Sequence, residues 1–228
     1  MSEHISNLES AQAFNVEEFI NARGLSVYQW MIFLACFLLI AVDTYDIVAI
    51  GFAAPVIRED WGINASALGP VMSLSLVGMA IGALLGGPLT DQTSPKTVMV
   101  GATFFFGICV LATAAASSVM QLAILRLLTG IGIGAAIPNA PMLVYEFSPS
   151  KRSSFLVNLM GSGGAFGSVL CGLIAAFVIP RFGWQSLFIV GGALPIALAL
   201  ACLFLLPEPI RYMVQKGDQR DRIASVLR

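Results

Sequence analysis

Six long apolar stretches dominate this chain of 228 residues and constrain its fold more than any other feature. About 20 consecutive apolar residues are needed to span the ~30 Å hydrocarbon core of a bilayer. The segments that meet this length are predicted near residues 28–54, 66–90, 97–117, 120–145, 154–179 and 186–206. We therefore expect an all-α membrane protein built as a bundle of six transmembrane helices.

The composition supports lipid as the main solvent. Hydrophobic residues make up 57% of the chain and charged residues 11%, whereas soluble domains carry about 25% charged residues. The net charge is −1 and the sequence contains no basic stripe. It therefore does not favour a nucleic-acid partner.

The positions of cysteine and histidine exclude several kinds of chemistry. Each of the four cysteines lies inside a long apolar run, and no two have the spacing of a CxxC or zinc motif. The single histidine, His4, lies in the polar N-terminal tail. A histidine-dependent triad or metal site therefore cannot form within the membrane portion. The sequence implies no enzyme active site, no cofactor and no metal.

The N-terminal segment differs from a secretory signal. The first 22 residues contain no lysine or arginine, whereas a signal peptide begins with a basic region. Asn15 and Glu18 have the spacing of a capping box, which predicts a short amphipathic helix ending near Gly24. We predict an N-terminal segment over residues 1–27 and the six-helix bundle over residues 28–207.

The distribution of basic residues predicts the orientation in the membrane. Nine of the 12 lysines and arginines fall in the N-terminal tail, the second and fourth connections and the C-terminal tail. The opposite side carries only Arg58 and Arg181, and Arg126 lies inside a helix. Because basic residues favour the cytoplasmic side, both termini are expected to be cytoplasmic.

Small residues recur at the spacing used for close helix packing in lipid. The candidates, which step four residues apart within a segment, are Gly78, Gly82 and Gly86, then Gly130 and Gly134, then Gly163 and Gly167, and finally Ser168 and Gly172. These faces predict a compact bundle.

Three charged residues lie deep inside predicted helices. Asp43 and Asp46 are three residues apart and share one face of the first helix, and Arg126 lies in the fourth. A charge at the bilayer centre costs on the order of 3 kcal/mol on insertion scales. All three fall roughly 10–16 Å below the outer surface at ~1.5 Å rise per residue, so they could meet around a shared cavity.

These charges have two interpretations at this point. In the first, they form a structural ion pair. In the second, one of the two aspartates carries a proton while Arg126 binds an anion. A guanidinium suits a carboxylate substrate because its fork matches two oxygens. Two further candidates for substrate binding or proton coupling are Asn139 and Glu146. Asn139 follows a proline that is expected to kink the helix. For Glu146, a gate contact and a surface salt bridge are equally compatible with the sequence.

The connection after the second segment resembles a family signature. Residues 87–96 read GPLTDQTSPK, in which Gly87, Asp91 and Lys96 match the major facilitator signature and three positions between Asp91 and Lys96 depart from it. Residues 126–134, an arginine followed by spaced glycines, resemble the fourth-helix motif of the same superfamily. The resemblance implies that Gly87, Asp91 and Lys96 belong to a cytoplasmic gate.

One stretch resembles a narrower family. Residues 43–55, DTYDIVAIGFAAP, followed by Asp60-Trp61-Gly62, are similar to the first-helix signature of aromatic acid:proton symporters. The resemblance implies proton-driven uptake of an aromatic carboxylate such as 4-hydroxybenzoate, benzoate or protocatechuate across the inner membrane. Asp43, Asp46 and Arg126 would contribute to it.

A complete member of this family has twelve helices in two similar halves. Each half is a three-plus-three inverted repeat, and this chain resembles the N-terminal half. Residues 208–228 would begin the central cytoplasmic loop, the chain would be a fragment, and its partner would be the missing C-terminal half or a second copy. Two alternatives stay open, a non-transporting structural or regulatory membrane protein and a transporter of another organic anion.

Overall fold

The computed structural model describes residues 27–205 as a bundle of helices. The helices are α1 (Val27–Trp61), α2 (Ala65–Gln92), α3 (Pro95–Thr113), α4 (Val119–Ala136), α5 (Asn139–Phe147), α6 (Ser150–Gly161), α7 (Gly163–Phe182) and α8 (Trp184–Leu205). The pairs α4–α5 and α6–α7 each form one span. Six spans are long and apolar enough to cross a membrane, which confirms the predicted six-helix bundle. The predicted amphipathic helix and residues 208–228 lie outside the described residues.

The first helix is longer than predicted. The sequence places a connection at Arg58, whereas α1 continues to Trp61. The end is set by Gly62, which has a φ of 61° and donates from its N–H to the Glu59 carbonyl. The Ile63 N–H bonds the Arg58 carbonyl, completing the two hydrogen bonds of a Schellman motif. The glycine, rather than the charged residues before it, therefore ends the helix.

Two other predicted connections are also shorter in the structure. α7 runs through Pro180 to Phe182, and Gly183, with a φ of 76°, makes the turn into α8 alone. α6 begins at Ser150, inside the predicted fourth connection. On the other hand, α3 ends early, at Thr113. The break between α4 and α5 falls at Pro138, as expected for a residue without a backbone donor.

The spans pack in a symmetrical pattern. α2 packs along α4, α7 packs along α1, and α3 lies against both α4 and α8. α8 also packs against α1. Exchanging the first three spans with the last three maps these contacts onto themselves, as expected of a three-plus-three inverted repeat. α1 and α4 are counterparts in this arrangement.

The glycine faces allow helix backbones to approach each other closely. A Cβ atom at Gly78 in α2 would collide with the Leu127 carbonyl in α4. The symmetrical contact has the same form, because a Cβ at Gly167 in α7 would collide with the Ala41 carbonyl in α1. The predicted packing role is confirmed for the glycines of α2, α4 and α7 that step by four, except Gly172, where a Cβ would meet only the Phe52 ring at an ordinary 3.4 Å. These contacts hold α2 closely against α4 and α7 closely against α1.

Candidate functional site

A buried ion pair joins the counterpart helices α1 and α4. The Arg126 Nη1 atom lies 2.9 Å from Asp46 Oδ2 and 3.1 Å from Oδ1, and each side chain is 1% exposed. Removing two charges from water is costly unless they are paired and hydrogen-bonded. The predicted meeting of the first-helix acid and the fourth-helix base is confirmed for Asp46 and Arg126.

Two further side chains hold the guanidinium. The Arg126 Nη2 donates to Thr113 Oγ1 at 3.1 Å, and the Phe188 ring centroid lies 5.2 Å from Arg126 Cζ. This distance places a cation over an aromatic face. The Nε atom has no hydrogen-bond partner among the described residues. Arg126 is therefore held from α1, α3 and α8, and these contacts leave its Nε–H and one Nη2 hydrogen unused.

Thr113 was not identified from the sequence, and its local bonding explains its role. At the last residue of α3, its hydroxyl donates to the Cys109 carbonyl at 2.9 Å. Threonine often makes such a bond to the carbonyl four residues earlier in a helix. Because its single hydrogen is used in this way, the oxygen is left to accept from Arg126.

Asp43 lies one turn from Asp46 in α1 and is 2% exposed. Its Oδ1 atom has no hydrogen-bond partner among residues 27–205. The neighbouring Tyr45 is tied to α8, since its hydroxyl donates to the Leu187 carbonyl at 3.1 Å. Among the described residues, the site thus combines the Asp46–Arg126 pair with a second buried acid, Asp43.

Asn139 lies at a different level of the bundle. It begins α5, 13 residues after Arg126, which corresponds to about 20 Å along the span at ~1.5 Å per residue. Its Nδ2 donates to the Ala135 carbonyl at 2.8 Å, and its Oδ1 accepts from Thr90 Oγ1 at 2.9 Å. The structure therefore groups Asn139 with the end of α2, not with Asp46. Glu146, half-buried in the last turn of α5, lies still farther from Arg126.

The signature residues lie at the same end as Asn139. Asp91 is exposed in the last turn of α2 and Lys96 is half-buried in the first turn of α3. Between them, Ser94 caps α3 by accepting from the Thr97 N–H, with Pro95 in the first turn. Space around Gly87 is open. Within residues 27–205, no cluster of acidic, histidine or cysteine side chains is suited to hold a metal.

Comparison with known protein sequences gives a consistent result. The family model described as Major Facilitator Superfamily matches residues 32–228. The 4-hydroxybenzoate transporter PcaK of Pseudomonas aeruginosa is 47% identical over 221 residues, 97% of this chain and 49% of the relative. A gallate transporter of Pseudomonas putida is 41% identical over 213 residues, 93% of this chain and 47% of the relative. The chain thus spans about half the length of these curated relatives.

Solved structures share the fold. The proton:xylose symporter XylE of E. coli superposes with a TM-score of 0.77 and 22% identity over 88% of this chain and 49% of the symporter. A bacterial homologue of the human lysosomal transporter Spinster gives a TM-score of 0.71 and 20% identity, covering 82% of this chain and 44% of the homologue. At these identities the likeness establishes the six-helix architecture alone.

Proposed function

The chain belongs to the Major Facilitator Superfamily, a family of transporters rather than enzymes, and from that premise we propose that it is the N-terminal half of a proton-coupled symporter for aromatic carboxylates. The substrates would be compounds such as 4-hydroxybenzoate, benzoate or protocatechuate. One observation carries the proposal. Asp46 and Arg126 form a buried ion pair between the two counterpart helices of the repeat.

The ion pair supports a simple exchange of partners. Ionised Asp46 occupies the Nη1 atom of Arg126. When a proton binds the Asp46 carboxylate, its negative charge is lost and its attraction for the guanidinium weakens. A substrate carboxylate then takes its place on Arg126, so that one proton and one anion bind together. Release of the proton re-forms the Asp46–Arg126 pair and favours departure of the substrate. Asp43, one turn away, is proposed as a second acid on the proton route.

The chemistry of arginine and the named relatives support the substrate class. A guanidinium binds a planar carboxylate through paired N–H donors. The relatives at 47% and 41% identity are named as transporters of 4-hydroxybenzoate and of gallate, both aromatic carboxylates. Because the similarity spans most of this chain, we extend that substrate class to it.

The basic residues and the signature support the orientation. We propose an inner-membrane location with both termini cytoplasmic, because Lys96, Lys151 and Arg152 begin α3 and α6 at the same end of the bundle. Gly87, Asp91 and Lys96 would then form the cytoplasmic gate. Asn139 and Glu146 lie at this end, so their proposed contribution to substrate and proton movement is at the gate.

The complete site is proposed to need a second six-helix unit. A major facilitator site lies between two halves, and this chain supplies one of them. The partner would be a C-terminal half encoded beyond Arg228 or a second copy of this chain. In either arrangement Arg126 and Asp46 would contribute one wall of the site.

Uptake of labelled 4-hydroxybenzoate tests the proposal. Cells would express either this 228-residue chain or the reading frame continued beyond Arg228, each with and without a protonophore. We expect accumulation that the protonophore abolishes. If only the extended frame accumulates substrate, the partner is the C-terminal half, whereas accumulation by the 228-residue chain indicates paired copies. Absence of uptake by both, or uptake that resists the protonophore, would contradict the proposal.

A further inference from the structure

Within residues 27–205, Arg126 has three partners, and of these Asp46 alone carries a charge that protonation removes. Asp46 contacts Nη1, Thr113 contacts Nη2, and the Phe188 ring covers the guanidinium. The hydroxyl of Thr113 and the ring of Phe188 interact with Arg126 in the same way whether Asp46 is ionised or protonated. Their grip on the guanidinium is therefore independent of the proton.

We propose that Thr113 and Phe188 are positioning residues, which hold the Arg126 guanidinium in place while Asp46 is protonated and a substrate carboxylate binds. The inference rests on the proposed symport function. An arginine side chain has several rotatable bonds and loses much conformational freedom when it is fixed. Without these two residues, protonation of Asp46 would release the guanidinium, and a substrate would have to order it again.

The two holding residues are themselves fixed. Thr113 is fully buried, and its hydroxyl hydrogen is committed to the Cys109 carbonyl. The Phe188 ring packs edge-on against Trp184 at 5.9 Å between centroids, and Trp184 packs edge-on against Trp61 at 5.7 Å. A row of aromatic rings thus connects the end of α1 to the guanidinium. Neither holding residue can move far without disturbing a packed neighbour.

The arrangement leaves a defined part of Arg126 for the substrate. Nη2 stays bound to Thr113, while the Nη1 hydrogens released by Asp46 become available to a carboxylate. The Nε donor is also without a partner among the described residues. The substrate therefore meets an arginine that is already oriented, which lowers the entropic cost of binding.

The test uses vesicles that contain the protein encoded by the reading frame extended beyond Arg228. It measures the KM and the maximal rate of exchange for labelled 4-hydroxybenzoate. Thr113→Val removes the acceptor oxygen at nearly constant volume. Thr103→Val is its matched control, because Thr103 is buried in the same helix and its hydroxyl has no partner among the described residues. We expect Thr113→Val to raise KM about tenfold, as for loss of a hydrogen bond to a charged group, and Thr113→Ser to restore it.

Phe188→Leu gives an independent test, and Phe106→Leu, at another fully buried phenylalanine, controls for lost volume. Only the first is expected to raise KM. The rise in KM caused by Thr113→Val should persist in an Asp46→Asn background, where residue 46 carries no charge. Persistence would show that Thr113 acts on substrate binding and not through the charge of Asp46. If the KM values of Thr113→Val and Phe188→Leu match those of their controls, the inference is overturned while the proposed symport function stands. Wild-type protein that does not exchange 4-hydroxybenzoate would overturn the proposed function and this inference together.

Discussion

One nitrogen of Arg126 serves both carboxylate oxygens of Asp46, since Nη1 lies 3.1 Å from Oδ1 and 2.9 Å from Oδ2. The guanidinium is therefore not saturated by its acid, and Nη2 turns to Thr113 instead. Such a pair is strong enough to be buried, yet it leaves donors for another anion. Stability requires that the Asp46–Arg126 pair stay intact, whereas the proposed transport requires that it open. Mutations can separate these two requirements.

The stability of the pair is tested by removing one partner or both. Arg126→Met leaves Asp46 buried without its base, and we expect a loss of roughly 3–5 kcal/mol in the free energy of unfolding. Asp46→Leu combined with Arg126→Met replaces the pair by apolar side chains and should recover most of that loss. Thermal unfolding of the detergent-purified protein measures both. A double variant no more stable than Arg126→Met would show that the pair is not the source of the effect.

The coupling role of Asp46 is tested by Asp46→Asn. Asparagine keeps an oxygen that can accept from Arg126 but does not take up a proton at physiological pH. We expect the variant to lose proton-driven accumulation of 4-hydroxybenzoate while retaining exchange of internal for external substrate. Asp60→Asn, at an exposed aspartate of the same helix, serves as the control. Normal accumulation by Asp46→Asn would remove the coupling role from this residue.

The requirement for a guanidinium is tested by Arg126→Lys. Lysine keeps the charge, but its compact ammonium lacks the planar fork that contacts Asp46 and Thr113 from separate nitrogens and stacks on Phe188. We expect uptake to fall at least about tenfold, as for one lost charge-assisted hydrogen bond. Arg181→Lys, at an exposed arginine in the last turn of α7, makes the same change outside the site and should leave uptake unchanged. Wild-type uptake by Arg126→Lys would show that charge alone suffices.

Much of the architecture could be predicted because it follows from local properties. The length and apolarity of each run fix the six spans. The depth of Asp46 and Arg126, counted at ~1.5 Å per residue, correctly predicts that they meet. The same count separates Asn139 from Arg126 by about 20 Å, so a shared site for the two follows from their polar chemistry alone and not from their depth.

The remaining contacts of the site depend on packing between distant segments. Thr113 is an ordinary helical threonine in sequence, and Phe188 is one apolar residue among many. They reach Arg126 because α3 packs on α4 and because α8 packs against both α1 and α3. No periodicity in the sequence encodes which face of α8 meets the guanidinium. A polar residue near the end of an apolar run, such as Thr113, was the only available signal.

Close packing between α7 and α1 is tested at Gly167. An alanine Cβ there would collide with the Ala41 carbonyl of α1, so Gly167→Ala should lower the unfolding temperature. Gly101→Ala is the matched control, because a Cβ at Gly101 meets nothing within 4 Å and alanine favours a helix by roughly 0.5–1 kcal/mol over glycine. The two substitutions are therefore expected to have opposite signs. Equal unfolding temperatures for both variants would contradict the close approach of α7 and α1.

The link between the helix break and the signature connection is tested at Thr90. Its one hydroxyl hydrogen is shared between two acceptors, Asn139 Oδ1 at 2.9 Å and the Gly86 carbonyl at 2.8 Å. Thr90→Val leaves the buried Asn139 oxygen without that donor, which should cost about 1–3 kcal/mol. Because this contact joins α2 to α5 far from Arg126, we expect the maximal uptake rate to fall while KM for 4-hydroxybenzoate changes little. Thr93→Val, at an exposed threonine bonded to a carbonyl of its own helix, should leave both unchanged. A raised KM in Thr90→Val would instead connect Thr90 and Asn139 to substrate binding.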